Sequence, residues 1–439
     1  MDFCRARVCR SGPGAGVTML YRSTRGSSPA VNFSDALERG LAPDGGLYVP
    51  ERLPSIDVEE FSDLKAIEDI AERLLTPFLD GDPLAPELKK IGTEALSFPI
   101  PITPLAQGPA QVLELFWGPT AAFKDIGARF LAECLQRIDG PARTVLVATS
   151  GDTGGAVASA FWRKPGIEVG ILFPKDGVSV RQRHQLTCFG ENVSAFAVSG
   201  TFDDCQKLLK QALADEEWRT GRGLTTANSI NVARLLPQIV YYAAAALHHH
   251  RQSGTVPGFI VPSGNVGNAT AALWAKAMGF PVGRIVMVTN ANRTVPDYLQ
   301  TGSWSPRPSV KTLANAMDVG DPSNMERVFD LYPDIEDLRR DVESMSVDDA
   351  EIEETIRHGR ERYGRVWDPH TATAVRASEI LDGDHWVLVS TAHPAKFDDV
   401  VEPLIGEGVE VPPALAELLA RESRFVEIEP ELAALARAW

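Results

Sequence analysis

Four stretches hold residues whose types and spacing could do chemistry. The first is Gly118-Pro119-Thr120-Ala121-Ala122-Phe123-Lys124-Asp125, a lysine set among small and aromatic residues. Apolar neighbours disfavour the ammonium form, and an amine that loses its proton readily can attack a carbonyl to form an imine. The alternative is a surface lysine paired with Asp125. The second and third stretches are glycine loops, Ser150-Gly151-Asp152-Thr153-Gly154-Gly155 and Pro262-Ser263-Gly264-Asn265-Val266-Gly267-Asn268. Each follows an apolar run of strand length and precedes a helical pattern. The first N–H groups of a helix lack internal partners and the dipole is positive there, so either loop suits a phosphate. Neither is a Walker loop, and Gly264 and Gly267 lack the leading G-x-G of a dinucleotide fingerprint. The next strand ends at Asn290, not at an acid that would hold a ribose. This leaves a phosphate outside a nucleotide, or glycines that only make tight turns. The fourth stretch is Asn228-Ser229-Ile230-Asn231-Val232-Ala233-Arg234. Ser229 and Arg234 suit a phosphate or carboxylate, or a helix cap and a surface arginine.

Other polar groups read more plainly. His248-His249-His250 resembles a metal cluster, but consecutive residues of a helix point in different directions, so a solvated helix end is expected. His370 and His393 fall in turns, where catalytic and structural roles both stay open. Asp348 to Glu354 reads as a solvated helix start, and Lys175, Arg181 and Arg183 as basic surface.

The elements that must position these stretches alternate as strand, glycine loop, helix. Apolar runs at 144–148, 169–173, 258–261, 284–289 and 385–390 predict strands; helices are expected at 156–162 and 269–278. Such alternation implies an α/β fold, a parallel sheet covered by helices on both faces. The leading part differs. Asn32-Phe33-Ser34-Asp35 opens a helix, 43–50 turns into a short strand, and 58–95 has helical periodicity broken by Gly81-Asp82-Pro83. Residues 1–18 read as a disordered extension, or as sequence ahead of a true start at Met19.

At 439 residues the chain can bury a large core and shape a cleft between lobes. Its 44% hydrophobic and 23% charged residues exclude wholesale disorder. The net charge of −16 argues against nucleic acid as a partner, though not against a small anion in a local basic pocket. No apolar run has the length of a membrane span. Five widely spaced cysteines fit free thiols in a reducing cytoplasm, and Asp203-Asp204 before Cys205 would raise that thiol's pKa.

Taken together in this order, the Gly118–Asp125, Ala148–Gly154, Ala227–Asn231 and Pro262–Asn268 stretches, followed by Ala316-Met317-Asp318-Val319, Asp368-Pro369-His370-Thr371-Ala372 and Thr391-Ala392-His393-Pro394-Ala395-Lys396-Phe397, resemble the threonine synthases of the enterobacterial and fungal subgroup. The likeness runs from about residue 19 to the end. It implies the fold of the tryptophan synthase β chain, two parallel-sheet lobes with pyridoxal 5′-phosphate between them, plus a mostly helical N-terminal domain at 19–98. The catalytic unit would span 99–400, with a mobile lobe at about 125–240, and 401–439 would be a C-terminal helical segment. The resemblance makes Lys124 the lysine that carries the cofactor as an imine and serves as base and acid. Gly264, Asn265, Val266, Gly267 and Asn268 would cradle its phosphate, Thr391 would meet its pyridine nitrogen, and Phe123 and Asn228 would flank it. Ser150, Gly151, Asp152 and Thr153 would bind the substrate carboxylate, and Ser229 and Arg234 the substrate phosphate. The implied reaction converts O-phospho-L-homoserine and water to L-threonine and phosphate, by a monomer or homodimer in the cytoplasm. A phospho-lyase or dehydratase of the same fold is the alternative. Asn268 stands where relatives carry an acid, and Val266 where an aromatic is common.

Overall fold

A computed structural model of the protein describes residues 8–9, 18–106, 110–383 and 385–439. Two sheets dominate. The smaller has the spatial order Leu224–Thr226, Arg143–Ala148, Ile167–Pro174, Val193–Val198 and Val426–Ile428, all parallel. The larger runs Val342–Ser346, Ile285–Thr289, Gly258–Pro262, Trp386–Ser390, Gln111–Glu114 and Ile102–Pro104. Only its last pair is antiparallel. Buried side chains of both sheets and their helices join one large core that includes the N-terminal domain. In the smaller sheet the strand order reverses at the pair Arg143–Ala148 and Leu224–Thr226, and in the larger Trp386–Ser390 inserts between Gly258–Pro262 and Gln111–Glu114. The crevice at the carboxyl ends of strands flanking such a switch is where open α/β sheets bind ligands.

All five expected strands form, extended by one or two residues or trimmed by one. The strands Ile102–Pro104, Gln111–Glu114, Val193–Val198, Leu224–Thr226 and Val342–Ser346 lie outside the expected set. Both glycine-loop helices start earlier than expected, at Asp152 and Gly267. Gly154 and Gly155 therefore sit inside the first turn of a helix rather than in a loop. Position 154 takes glycine because a Cβ there would lie 2.5 Å from Leu186 Cδ2 and from Thr149 Cγ2.

The N-terminal domain is mostly helical, as expected. The Asn32 side chain accepts from Asp35 N at 2.7 Å and caps the helix Phe33–Arg39. Tyr48–Pro50 pairs antiparallel with Tyr21–Ser23. The Gly81-Asp82-Pro83 break joins two parts of the domain. Buried Asp82 accepts from Ser34 N at 2.8 Å, Ser34 Oγ at 2.6 Å and Leu84 N at 2.9 Å.

The expected disordered extension falls mostly outside the described residues, but Val8–Cys9 pairs parallel with Leu53–Pro54. The C-terminal segment is not purely helical. Val426–Ile428 adds an edge strand to the smaller sheet, too short for its periodicity to be read. Trp439 then packs over Gly170, where a Cβ would meet its ring at 2.3 Å.

The remaining polar expectations divide. Asp348 caps its helix in a reciprocal capping box with Glu351. His249 departs from the solvated helix end: it is buried and bonded to Gln111 and Thr255. Among the described residues no group of acids, histidines and cysteines could hold a metal, and no helix is long and apolar enough to cross a membrane. Cys134, Cys188 and Cys205 are free and buried. Burial, more than Asp204, pushes the Cys205 thiol up to about 12.

Candidate active site

The carboxyl ends of five strands lead into the site. Gln111–Glu114 leads into the segment ending at Lys124, the first residue of the helix Lys124–Arg137. Trp386–Ser390 ends at Thr391, and the two segments lie side by side. Phe123 N donates to Thr391 O at 2.8 Å, His393 N to Ala121 O at 3.0 Å, and Ala122 bridges Ala392. This pairing fixes Thr391 across from Lys124. The Thr391 hydroxyl has no partner among the described residues.

Lys124 is not paired with Asp125. That carboxylate turns back to Thr120, accepting from its N at 2.8 Å and its hydroxyl at 2.7 Å. The Lys124 amine makes no hydrogen bond to a described residue; it lies 5.8 Å from the Phe123 ring centroid. Burial lowers its pKa to about 8, with Arg234 and Lys396 acting in the same direction and Asp152 against them. An amine poised near neutrality can give and take protons.

The cradle at 264–268 follows Gly258–Pro262. Val266 has φ 61°, a left-handed conformation that turns the chain into the helix Gly267–Met278. The N–H groups of Gly267, Asn268 and Ala269 have no partner among the described residues, the arrangement of a helix start that can hold an anion. Asn268 is buried. Its Oδ1 accepts from the hydroxyls of Tyr241, at 2.5 Å, and Tyr242, at 2.8 Å, while its Nδ2 is unsatisfied. The amide serves two phenol donors here without adding charge to the cradle. Val266 is buried, so the smaller side chain still fills the loop wall. A Cβ on Gly264 would lie 2.8 Å from Met317 Cα and 3.0 Å from Ala316 O. Gly264→Ala is therefore expected to displace the loop at a cost of about 1–3 kcal/mol, the range for overpacking. The check is cofactor retention on dialysis, which should fall well below wild type.

Asn228 and Ser229 close the opposite wall. Asn228 Nδ2 donates to Ala148 O at 2.8 Å and its Oδ1 accepts from Ala148 N at 3.2 Å, so the side chain clamps the strand that carries the first glycine loop. Ser229 Oγ accepts from Asn265 Nδ2 at 2.5 Å, tying this wall to the cradle. Arg234 lies in the first turn of the helix Val232–Ser253 and is buried, not a surface arginine. It donates to Ala227 O through Nη1, and its Nε is unsatisfied. Burial lowers it to about 10, opposed by Asp125.

The first glycine loop completes the site. Gly151 has φ 142°, and a Cβ there would press on the Gln182 amide at 2.6 Å. The N–H groups of Asp152 and Thr153 have no partner among the described residues and can hold a carboxylate. Ser150 and Thr153 are half-buried beside them. The Asp152 side chain cannot serve that purpose. Its carboxylate is 3.1 Å from the Nζ of fully buried Lys396, which offsets the cost of burial and holds it well below the usual carboxylate range. These contacts tie the Lys124 segment to Thr391, Asn228 to the strand of the first glycine loop and Ser229 to the cradle, while the Asp152 side chain pairs with Lys396.

Two residues that position the site, Lys396 and Arg327, escaped sequence reasoning, and His370, left open between a catalytic and a structural part, takes a positioning one. Lys396 lay inside the motif 391–397 but had no assigned part. His370 accepts from Ala316 N at 3.1 Å through Nε2, so its Nδ1 carries the hydrogen donated to Asp368 at 2.9 Å. The ring holds the Ala316 segment against Gly264. Arg327 had no motif at all. It is fully buried, with a pKa lowered to about 9 by burial. It donates to Tyr48 O at 3.0 Å, Ile230 O at 2.7 Å, Ser229 O at 3.4 Å and Asn324 Oδ1 at 2.6 Å. One guanidinium thus pins the Ser229 loop to the N-terminal domain. A lysine offers three donors from one point and cannot span these acceptors. Arg327→Lys is expected to cost at least about 1–3 kcal/mol, the penalty for a buried polar group left unsatisfied. Thermal denaturation measures that loss, and a KM that rises more than kcat falls would place the damage at the Ser229 wall.

Comparison with known proteins adds to this geometry. The family described as pyridoxal-phosphate dependent enzyme matches residues 112–392. The threonine synthase N terminus matches residues 20–96, and the threonine synthase C-terminal family residues 371–438. Threonine synthase of Escherichia coli is 40% identical over 393 residues, 88% of this chain and 91% of that protein. The Escherichia coli crystal structure superimposes with TM-score 0.87 over 95% of this chain and 99% of that one. The pyridoxal-phosphate-bound enzyme from Brucella melitensis gives 0.89 at 34% identity, covering 96% and 98%.

Proposed function

This chain belongs to the threonine synthase family of pyridoxal-phosphate enzymes, and from that premise we propose that it converts O-phospho-L-homoserine and water to L-threonine and phosphate. The observation that carries the reading is the unpartnered Lys124 amine, lowered to about 8, between two partner-free helix starts. The residues present fit the cofactor. Lys124 would hold its aldehyde carbon, Gly267 to Ala269 and Asn268 Nδ2 its phosphate, and the free Thr391 hydroxyl its ring nitrogen. Phe123 and Asn228 would bound its faces. When bound, the cofactor supplies an electron sink for negative charge at the carbon beside the substrate amine.

The chain's own groups account for the rest. The N–H pair of Asp152 and Thr153 orients the substrate carboxylate. Ser229 and buried Arg234 hold the phosphate on Cγ, and the unsatisfied Arg234 Nε favours an anion there. Lys124 Nζ would take the proton from Cα and then one from Cβ as the Cγ–O bond breaks and phosphate leaves. It would then deliver a proton to Cγ to form the methyl. Water adds its oxygen at Cβ, giving up a proton, and a proton returns to Cα. The hydroxyl of Thr391, being uncharged, leaves the ring nitrogen less protonated than a carboxylate would.

The test is product analysis. Purified protein given O-phospho-L-homoserine should release L-threonine and inorganic phosphate in equal amounts. Release of 2-oxobutanoate as the sole carbon product, with ammonia and phosphate, would instead favour a deaminating phospho-lyase of the same fold.

A further inference from the structure

A cavity of about 1120 Å³ opens beside the cleft, between the N-terminal domain, the helix Phe202–Ala214 and the segment 321–329. Its lining includes Asn265 of the phosphate cradle and Asn228 of the opposite wall of the cleft, both partly buried. Its outer wall carries Arg39, Lys210 and Arg219, one cation from each of three elements. All three are exposed, and none has a side-chain partner among the described residues.

The charge balance of this wall is the reverse of the chain's. Two of the lining acids are already neutralised: Glu326 by Arg25 at 2.7 Å, and Glu38 by Arg143. That leaves three free cations against Asp321 alone, in a protein of net charge −16. A concave wall of one sign concentrates field lines and raises the local concentration of an oppositely charged ligand. A scattered set of surface cations would leave acids equally free and would not line one cavity that reaches the cradle.

We propose that this cavity is an entry vestibule that captures the phosphoryl dianion of the incoming substrate through Arg39, Lys210 and Arg219 and delivers it past Asn228 and Asn265. The inference rests on the phosphorylated substrate proposed above. It separates entry from the site itself. Ser229 and Arg234 would hold the phosphate during chemistry, whereas the vestibule would act on the rate of arrival.

The test is rapid mixing of the holoenzyme with O-phospho-L-homoserine, following the change in cofactor absorbance. Lys210→Glu/Arg219→Glu is expected to slow association about tenfold at roughly 0.01 M salt, the lower end of electrostatic steering. The deficit should close to within about twofold at roughly 1 M salt, where the screening length falls from about 30 Å to about 3 Å. Lys65→Glu/Lys90→Glu, the same charge change on exposed lysines away from the cavity, should match wild type. Equal association rates for wild type and the vestibule variant at low salt would overturn the proposal. So would a deficit that salt does not reduce, or an equal deficit in the Lys65/Lys90 control. If wild type itself does not react with O-phospho-L-homoserine, the functional reading fails first, and that outcome is distinct.

Discussion

Lys124→Ala protein is expected to lose turnover by about 10²–10⁴-fold from its proton transfers alone, the usual share of a positioned acid–base group. The loss should fall on kcat, because the carboxylate and phosphate contacts are made by other residues. The argument is geometric before it is electrostatic. Lys124 follows the segment paired with Thr391 and feels Asp152, buried Arg234 and Lys396 around it, and its amine is uncommitted among the described residues. Burial keeps the value near 8, so a sizeable fraction is neutral at physiological pH and the remainder can return a proton. Alanine also removes the covalent anchor. The variant should show no chromophore that borohydride can fix to the polypeptide. Folding should survive, and thermal stability should hold or rise, since a desolvated amine without a partner is a cost to the folded state. A variant that kept both its turnover and the reducible chromophore would remove Lys124 from the site.

Much of this site was legible in the sequence because it is built from local rules. A glycine loop between a buried strand and a helix exposes N–H groups wherever it occurs, so 150–153 and 264–268 could be read before their surroundings were known. Lys124 stood out because its neighbours are apolar. What could not be read are partners far apart in the chain. Asp152 looked like a substrate contact because it sits in the right loop; only folding brings Lys396 to it from 244 positions away. Arg327 sits in an unremarkable helix and takes on its part only when Tyr48, Ser229 and Ile230 present carbonyls to it. The strand Val426–Ile428 was hidden for a related reason. Three residues carry no period, and its pairing with Val193–Val198 is decided by tertiary contact.

The buried pair of Lys396 and Asp152 gives the second large effect, and its sign can be checked twice. Lys396 is fully buried; its Nζ lies 3.1 Å from Asp152 Oδ1 and donates to Thr120 O at 2.6 Å. Lys396→Met keeps the length of the side chain but leaves the Asp152 carboxylate with Gln182, at 3.3 Å, as its side-chain donor. Breaking a buried pair in this way typically costs about 3–5 kcal/mol, because a charge is left without compensation. Asp152→Asn strands the lysine instead and should cost a similar amount. The double variant should recover part of the loss, which denaturant titration of all four proteins would show. In wild type the Asp152 contribution is present above the ordinary carboxylate pKa of about 3.9 and is lost as pH falls below it, since the folded group is held lower still. The two single variants should differ in their effect on Lys124. Lys396 lowers that amine and Asp152 raises it. Removing Lys396 should therefore move the amine above about 8 and shift the rising limb of the pH–rate profile to higher pH. Removing the Asp152 charge should move both downward. Amine labelling of Lys124 across pH in cofactor-free protein reads the same shift without turnover. Movement of both variants in one direction would mean that the pair acts on Lys124 only by holding the loop in shape.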